Sequence, residues 1–458
     1  MYYFNKCMYN KCFSRYHLPL QIRQTSFIYY INANITMFNP KVIRTRVIID
    51  LLATQLYYQL LEVNQFTYKL NSELTSSYCK CLDKGATYQF YLKRNIPFQT
   101  TNLFTQTLTL NADDIVFVVF SFSSMINKNH HYYYVGDGNY HYFGNLQLPN
   151  NIHFSKVDNY IVKFKLYTQN VSFLWHLASR YTQIISQKYT QYLNKINHKK
   201  FIDWQAFSTS SFMLVAYQSD QFIKLTRYDN YWEGKSLMQQ VVIDLGVAEC
   251  GTRYIYKLLT CEYNVLAYPT ATQLKLIRKD SCLRLSIRTG TYIAYLIFNS
   301  TNQPLDQLKV RQTIAHLINN KRLMQSIYYG TPETSTSVLQ RTSLAYNNQI
   351  KFINDSSEKA KEMLEELDLA GIRLDLCVSI IFQFHNSSSL KTAWLIQQTD
   401  LAKEGIKAII YSIDPIEGNL LENKLSDHTY NIIIDDWLTD NNDPDRFFRH
   451  LFSYQSID

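Results

Sequence analysis

The sequence predicts an α/β fold spread over more than one lobe, on three observations. Segments in which apolar residues alternate are interleaved along the chain with segments whose apolar residues recur at three- to four-residue spacing. The 458 residues, 46% of them hydrophobic, suffice for more than one buried core. No stretch reaches the roughly eighteen consecutive apolar residues of a membrane helix, so the expectation is a soluble protein.

The elements follow in order. Ala86–Leu92 alternates, with Tyr88, Phe90 and Leu92 on one face, after the turn signal Asp83-Lys84-Gly85. Asp114–Phe122 is a short apolar run that fits a buried strand or a helix segment. Asn129–Tyr142 is the loosest stretch, with a turn expected at Gly136–Asn139, and Tyr160–Leu166 is a strand. Val310, Ile314, Leu317 and Ile318 have helix spacing, with Asp306 as the candidate cap. A second helix opens at Ser357 and carries Ala360, Met363, Leu364 and Leu367 on one stripe. A third spans 388–404 with Gly405 as its C′ residue. With strands at 406–411 and 430–434 it makes a compact α/β unit ending at Trp437.

Composition excludes several function classes. The charge of +9 is scattered, and Lys199-Lys200 is its nearest approach to a basic run, so no nucleic-acid partner is expected. The eight cysteines show no metal-ligand spacing, and Cys79 and Cys81 are too close in sequence to bridge easily. His130, His131 and His141 sit in a polar loop without helical i,i+4 spacing, so no metal site is expected. There is no P-loop, nucleophile elbow or HExxH, and neither an enzyme nor a cofactor is expected. Asn, Lys and Arg break up the first 26 residues, leaving no readable secretion signal. The 37 Tyr and 26 Phe against 12 Gly and 9 Pro match A+T-rich codons. With so few glycines, Asn is expected at positive φ.

Several motifs, taken together, resemble the peptide/nickel solute-binding proteins of ABC importers. They are Thr36-Met-Phe-Asn-Pro40, Lys84-Gly-Ala-Thr-Tyr-Gln-Phe-Tyr-Leu-Lys-Arg94, Asn111-Ala-Asp-Asp-Ile-Val-Phe117 and Tyr295-Leu-Ile-Phe-Asn299, followed by Pro304-Leu-Asp306 and Val310-Arg311. Phe173–Ala178, Asn319–Gly330 and Asp440–Phe448 are similar to the Sap-type branch of that family. The resemblance runs in order over about residues 21–458. It implies a two-lobed type II periplasmic-binding-protein fold of the dipeptide/oligopeptide-binding class. Residues 21–45 and 205–285 would form lobe I, 46–204 an extra subdomain, and 286–458 lobe II, with 1–20 unassigned.

The function implied is peptide binding in the periplasm by hinge closure, for peptide transport and antimicrobial peptide resistance. The implied partners are a peptide ligand and the permease and ATPase of the inner membrane, with the binding protein a monomer. Trp437-Leu-Thr-Asp440 matches the family's W-x-x-D segment, making Asp440 the anchor for the ligand's α-amine and Trp437 a pocket wall. Met37 and Phe38 of the start segment complete the expected peptide-binding set. Read from the residues alone, Asp440 is more readily a cap for the turn ending at Pro444, and the family alignment is what favours the anchor role.

The sequence also departs from the family. Ile381 stands where short-peptide binders carry an arginine for the ligand carboxylate. Ser208-Thr-Ser-Ser-Phe212 replaces G-T-G-P-Y, and Tyr30 and Tyr263 replace two cysteines that relatives pair. Tyr454 replaces a third. Family members also continue beyond the point matching Asp458, leaving lobe II incomplete here. A degenerate, truncated relic and a chaperone-like binder of unfolded peptides therefore stay open as alternatives, and the ligand stays open among peptide, cationic antimicrobial peptide and haem.

Overall fold

The computed structural model describes residues 26–31, 54–126 (except 65, 66 and 102), 152–198 (except 168, 171, 180 and 181), 205–245 (except 220), 251–287 (except 268 and 270), 292–328, 335–369 (except 340, 342, 344 and 351–355), 377–383, 392–413, 427–438 (except 428) and 443–448 (except 446). The chain divides into two compact units, Met1–Leu285 and Ser286–Asp458.

The strands of the first unit are β1 (Ser26–Tyr30), β2 (Leu61–Val63), β3 (Leu70–Ser72), β4 (Lys80–Leu82), β5 (Thr87–Tyr91), β6 (Ile152–Asp158), β7 (Ile161–Leu166), β8 (Phe212–Gln218), β9 (Phe222–Arg227), β10 (Gln240–Asp244) and β11 (Val265–Leu266). They form a five-stranded sheet in the order β11-β1-β10-β9-β8, a four-stranded sheet in the order β4-β5-β7-β6, and the pair β2-β3. β1 runs parallel to both β10 and β11. The four-stranded sheet is antiparallel throughout. The predicted alternation holds, since Tyr88, Phe90 and Leu92 are 7%, 0% and 3% exposed. Phe90 meets Phe164 edge-on, ring centroids 5.6 Å apart, and burying each ring stabilises the fold by about 1.5–3 kcal/mol.

The longer helices described in this unit are α1 (Ala112–Ile126), α2 (Gln187–Lys195), α3 (Gly251–Leu259) and α4 (Ala271–Lys279). The apolar run after Asp114 is therefore helical, and its start explains why. Asn111 Oδ1 accepts from Asp113 N–H at 2.7 Å, while Asp114 Oδ2 accepts from Asn111 N–H at 3.1 Å, a reciprocal capping box. The other oxygen of Asp114 accepts from Gln187 N–H, at 2.8 Å, in the first turn of α2. One buried carboxylate thus holds two helix N-termini, where the dipoles favour negative charge.

Ser208, Thr209 and Ser210 are buried and tied down: Gln99 Nε2 donates to the carbonyls of Ser210 and Phe212, both at 2.8 Å. None of these serines has positive φ, so the residues that replace glycine here are not strained by the backbone. The non-glycine residues at positive φ among those described are Tyr68, Asp83, Lys84, Asn95, Asn197 and Cys261. Asn fills two of these positions and Asp a third, so tertiary structure, not intrinsic preference, imposes the conformation at the other three.

The second unit is a mixed sheet in the order β12-β15-β13-β14, with β12 (Tyr292–Phe298), β13 (Cys377–Gln383), β14 (Lys407–Ile413) and β15 (Ile432–Leu438). β13 is parallel to both β14 and β15, and β12 is antiparallel to β15. Helices α5 (Leu308–Leu317), α6 (Asn320–Tyr328) and α7 (Ser357–Leu369) supply Val310, Ile314, Leu323 and Leu367 to a core shared with Ile380, Ala408, Ile432 and Ile434. Three expectations are corrected. Asp306 is not the cap of α5. The N-cap is Gln307, without a side-chain bond, and Asp306 instead offers its carbonyl to Arg311 Nη1 at 2.8 Å. The predicted 430–434 strand starts at Ile432 and continues to Leu438, carried by pairing with β12.

The third correction concerns the helix predicted over 388–404. Among the described residues it runs from 392, widens to π geometry over Ile396–Leu401 and tightens to a 3₁₀ turn over Ala402–Glu404. Gly405 ends it at φ 77° as expected. Its N–H bonds Ala402 O at 3.2 Å and that of Ile406 bonds Leu401 O at 3.0 Å, a Schellman closure.

Candidate ligand-binding site

The sheet of the second unit sets the geometry. Because β13, β14 and β15 are parallel, their carboxyl ends share one edge, the place where open α/β sheets present ligand-binding residues. Ile381 pairs with Tyr411 and with Ile433, and so lies on the central strand near that edge. Trp437 is the sixth residue of β15 and pairs with Ile293 of β12. It lies four residues past Ile433, about 13 Å farther along the strand toward the same edge. Asp440 follows two residues beyond the end of β15 and, like Met37, Phe38 and Tyr454, lies outside the described residues.

The turn after this strand has its own cap. Asp443 is 1% exposed and its Oδ1 accepts from Asp445 N–H at 3.1 Å. That is the Asx arrangement weighed above for Asp440, made by its neighbour three positions on. Phe447, also 1% exposed, buries the segment beyond.

In the first unit the carboxyl ends of parallel β1, β10 and β11 likewise share an edge. Ile31 N–H bonds Asp244 O at 3.0 Å there, and the segment bearing Met37 and Phe38 follows. Tyr30 and Tyr263, the residues at the cysteine positions, are neighbours, with ring centroids 5.9 Å apart. Tyr254 stacks on Tyr30 at 3.6 Å. Tyr263 donates to Asp244 Oδ2, and Lys257 Nζ donates to the Tyr263 hydroxyl at 3.0 Å. Burial pushes the phenols of Tyr30 and Tyr263 well above the ordinary tyrosine range, and the neighbouring hydrogen bonds and Asp244 add to the rise.

A polar cluster in the first unit gave no signal in the sequence because its members come from four separate segments. Tyr58 and Tyr231 share a hydrogen bond of 2.7 Å, and Tyr231 donates to Glu233 Oε2 at 2.9 Å. Lys93 lies 3.7 Å from Glu233 and 4.4 Å from the ring centroid of Trp232. Glu73 accepts from Gln59 N–H at 2.7 Å, and burial raises its carboxyl well above the usual range despite that bond. Among the described residues no group of three or more His, Cys, Asp and Glu is placed to hold a metal. His130, His131 and His141 lie outside them. No described helix is long and apolar enough to cross a membrane.

With this geometry in hand, comparison with known proteins gives three findings. Residues 69–458 match the family model for bacterial extracellular solute-binding proteins, family 5 Middle. The chain is 44% identical over 437 residues to the probable ABC transporter periplasmic-binding protein SapA of Escherichia coli, covering 95% of this chain and 78% of that protein. The crystal structure of a dipeptide binding protein from Pseudoalteromonas sp. SM9913 in complex with Met-Leu matches with a TM-score of 0.75 at 29% identity, over 93% of this chain and 82% of that one.

Proposed function

The chain belongs to the bacterial extracellular solute-binding proteins of family 5, and from that membership we propose that it is the peptide-binding subunit of an ABC importer. Its fold is the two-lobed type II periplasmic-binding class, and such proteins capture solutes without catalysing a reaction. The observation that carries the proposal is the 44% identity to SapA along nearly the whole chain. The dipeptide-binding fold, with Trp437 at the carboxyl edge of β15, supports it.

In this reading a peptide is enclosed as residues 1–285 and 286–458 close on it, and the closed state is what the membrane permease and its ATPase distinguish. Asp440 supplies the countercharge for the ligand's α-ammonium, since a desolvated, unpaired charge is costly. Trp437, Met37 and Phe38 line the pocket. Ile381 offers a ligand carboxylate neither charge nor donor, so the site recognises amines over carboxylates. Work in the periplasm, a monomeric state, no nucleic-acid partner and a role in removing antimicrobial peptides complete the proposal.

Calorimetry on the purified chain tests it with one peptide in three forms: free, C-terminally amidated and N-acetylated. The amide should bind as well as or better than the free acid. Acetylation and Asp440→Ala should each weaken binding by at least about tenfold, the loss expected of a charged hydrogen bond. Equal binding of the acetylated and free peptides would overturn the anchor role of Asp440. Absence of binding by any form would overturn the peptide-binding function.

A further inference from the structure

Tyr30, Tyr254 and Tyr263 form a stack closed off from water, 4%, 8% and 5% exposed. Their rings are nearly parallel: Tyr30 and Tyr254 lie 3.6 Å apart at 22°, Tyr30 and Tyr263 5.9 Å apart at 15°, and Tyr254 and Tyr263 6.3 Å apart at 17°. Tyr30 and Tyr254 make the closest contact of the three, face to face. At 3.6 Å and 22° the ring carbons of one tyrosine lie directly against those of the other, so radicals formed on the pair need not diffuse to couple. A base completes the cluster, for Asp244 accepts from Tyr263 and lies 3.7 Å from Lys257 Nζ.

We infer that this stack is an oxidative cross-linking site, at which Tyr30 and Tyr254 join as a dityrosine when the protein meets a one-electron oxidant. Each phenol loses one electron and one proton, giving two phenoxyl radicals. Their unpaired electrons couple to form a carbon–carbon bond between the ring positions flanking the hydroxyls. The hydrogens on those two carbons then shift to the phenoxyl oxygens and restore both aromatic rings. Two equivalents of oxidant are each reduced by one electron, and two protons leave to solvent.

Proximity makes the site selective. Exposed tyrosines such as Tyr167 and Tyr256 must meet a partner by diffusion, whereas Tyr30 and Tyr254 are already in contact. An outer-sphere oxidant acts through the covering structure and does not need to touch the rings. The product ties β1 to α3, at the β-strand where the family resemblance implies a disulfide and this chain carries tyrosine.

The test uses the full chain and hexachloroiridate(IV), which becomes hexachloroiridate(III). Trypsin places Tyr30 on peptide 24–41 and Tyr254 on peptide 254–257. The expected product is these two peptides joined, lighter than their sum by two hydrogens, with fragment ions placing the bond at Tyr30 and Tyr254. Its yield should be at least about tenfold higher from the folded chain than from the urea-unfolded one, because only the fold supplies the contact. Tyr30→Phe should abolish it. Equal yields folded and unfolded, persistence of the linked pair in folded Tyr30→Phe, or cross-links confined to exposed tyrosines would each overturn the inference. Where Tyr30→Phe does not fold, the folded and unfolded wild-type yields decide.

Discussion

Arg322 holds Asp400 across the second unit, with Nη2 at 2.5 Å from Oδ1, joining α6 to the π segment 78 residues later. The Asp400 side chain is 4% exposed and that of Arg322 27%. Asn319 N–H adds a bond to the other carboxylate oxygen at 3.3 Å. The Asn319–Gly330 motif thus supplies both the donor and the charge that make this carboxylate tolerable in a core.

Arg322→Ala should therefore destabilise the second unit by about 2–4 kcal/mol, because it leaves a buried carboxylate unpaired. Burial raises the Asp400 carboxyl above its ordinary range, and Arg322 opposes the rise. A raised folded value means the folded state holds its proton to higher pH than the unfolded chain. The contribution of Asp400 to stability then falls as pH rises through that value, and falls further without Arg322. Urea midpoints should show the gap between variant and wild type widening as pH rises above the ordinary carboxylate range. A gap of constant size would show that Asp400 is not the group concerned.

Asp114 should titrate far from its ordinary range. Its carboxyl is pushed from 3.8 up to about 6, chiefly by burial, against the N–H bonds from Gln187 and Asn111. The folded state again binds the proton more tightly, so the stability contributed by Asp114 falls between about pH 4 and about pH 6 and stays low above. Asp114→Asn removes this titration. Wild-type stability minus that of Asp114→Asn should drop by about 2–3 kcal/mol from pH 4 to pH 7. A flat difference across that range would place the proton elsewhere.

Gly405→Ala isolates backbone strain. A Cβ at this position would meet nothing within 4 Å, yet φ is 77°. The substitution should cost about 1–2 kcal/mol, and Gly405→Asn less, since Asn tolerates the left-handed region. Thermal and urea unfolding measure both, and a neutral alanine would mean the Schellman closure re-forms without positive φ.

The free thiols should react in a fixed order. Cys81 and Cys282 are exposed, while Cys79 is half-buried with its thiol pushed up to about 11, mainly by burial. At pH 8 only about one thiol in a thousand at Cys79 is thiolate. Timed alkylation with peptide mapping should label Cys81 and Cys282 first and Cys79 at least about tenfold more slowly. Labelling of Cys79 along with Cys81 would mean that β4 and its neighbours open readily.

What the sequence disclosed depended on how local the cause was. The face of β5 was readable because alternation is written residue by residue, and the stop at Gly405 because only its own φ is needed. The cap expected at Asp306 failed since Gln307 took the N-cap position and Arg311 drew the Asp306 carbonyl toward itself. The bonds Asp114–Gln187 and Arg322–Asp400 join residues 73 and 78 apart, and no spacing rule reaches that far. Asp440, Trp437, Met37 and Phe38 came from family likeness alone, because a lone carboxylate near a turn looks the same whether it caps or binds. Asp443 makes an Asx bond of its own three positions on, while Asp440 lies outside the described residues.

The pairing of β1 with β10 also fixes a timetable for the newborn chain. Ser26 finds its partner at Gln240, so β1 must wait for roughly 210 further residues, about 10–40 s of ribosomal elongation at ordinary rates. Its other neighbour, β11, arrives later still. Throughout that interval Ser-Phe-Ile-Tyr-Tyr is a strand-prone apolar segment with both edges unpaired, the kind of sequence that self-associates. The first unit closes only once its two ends have met.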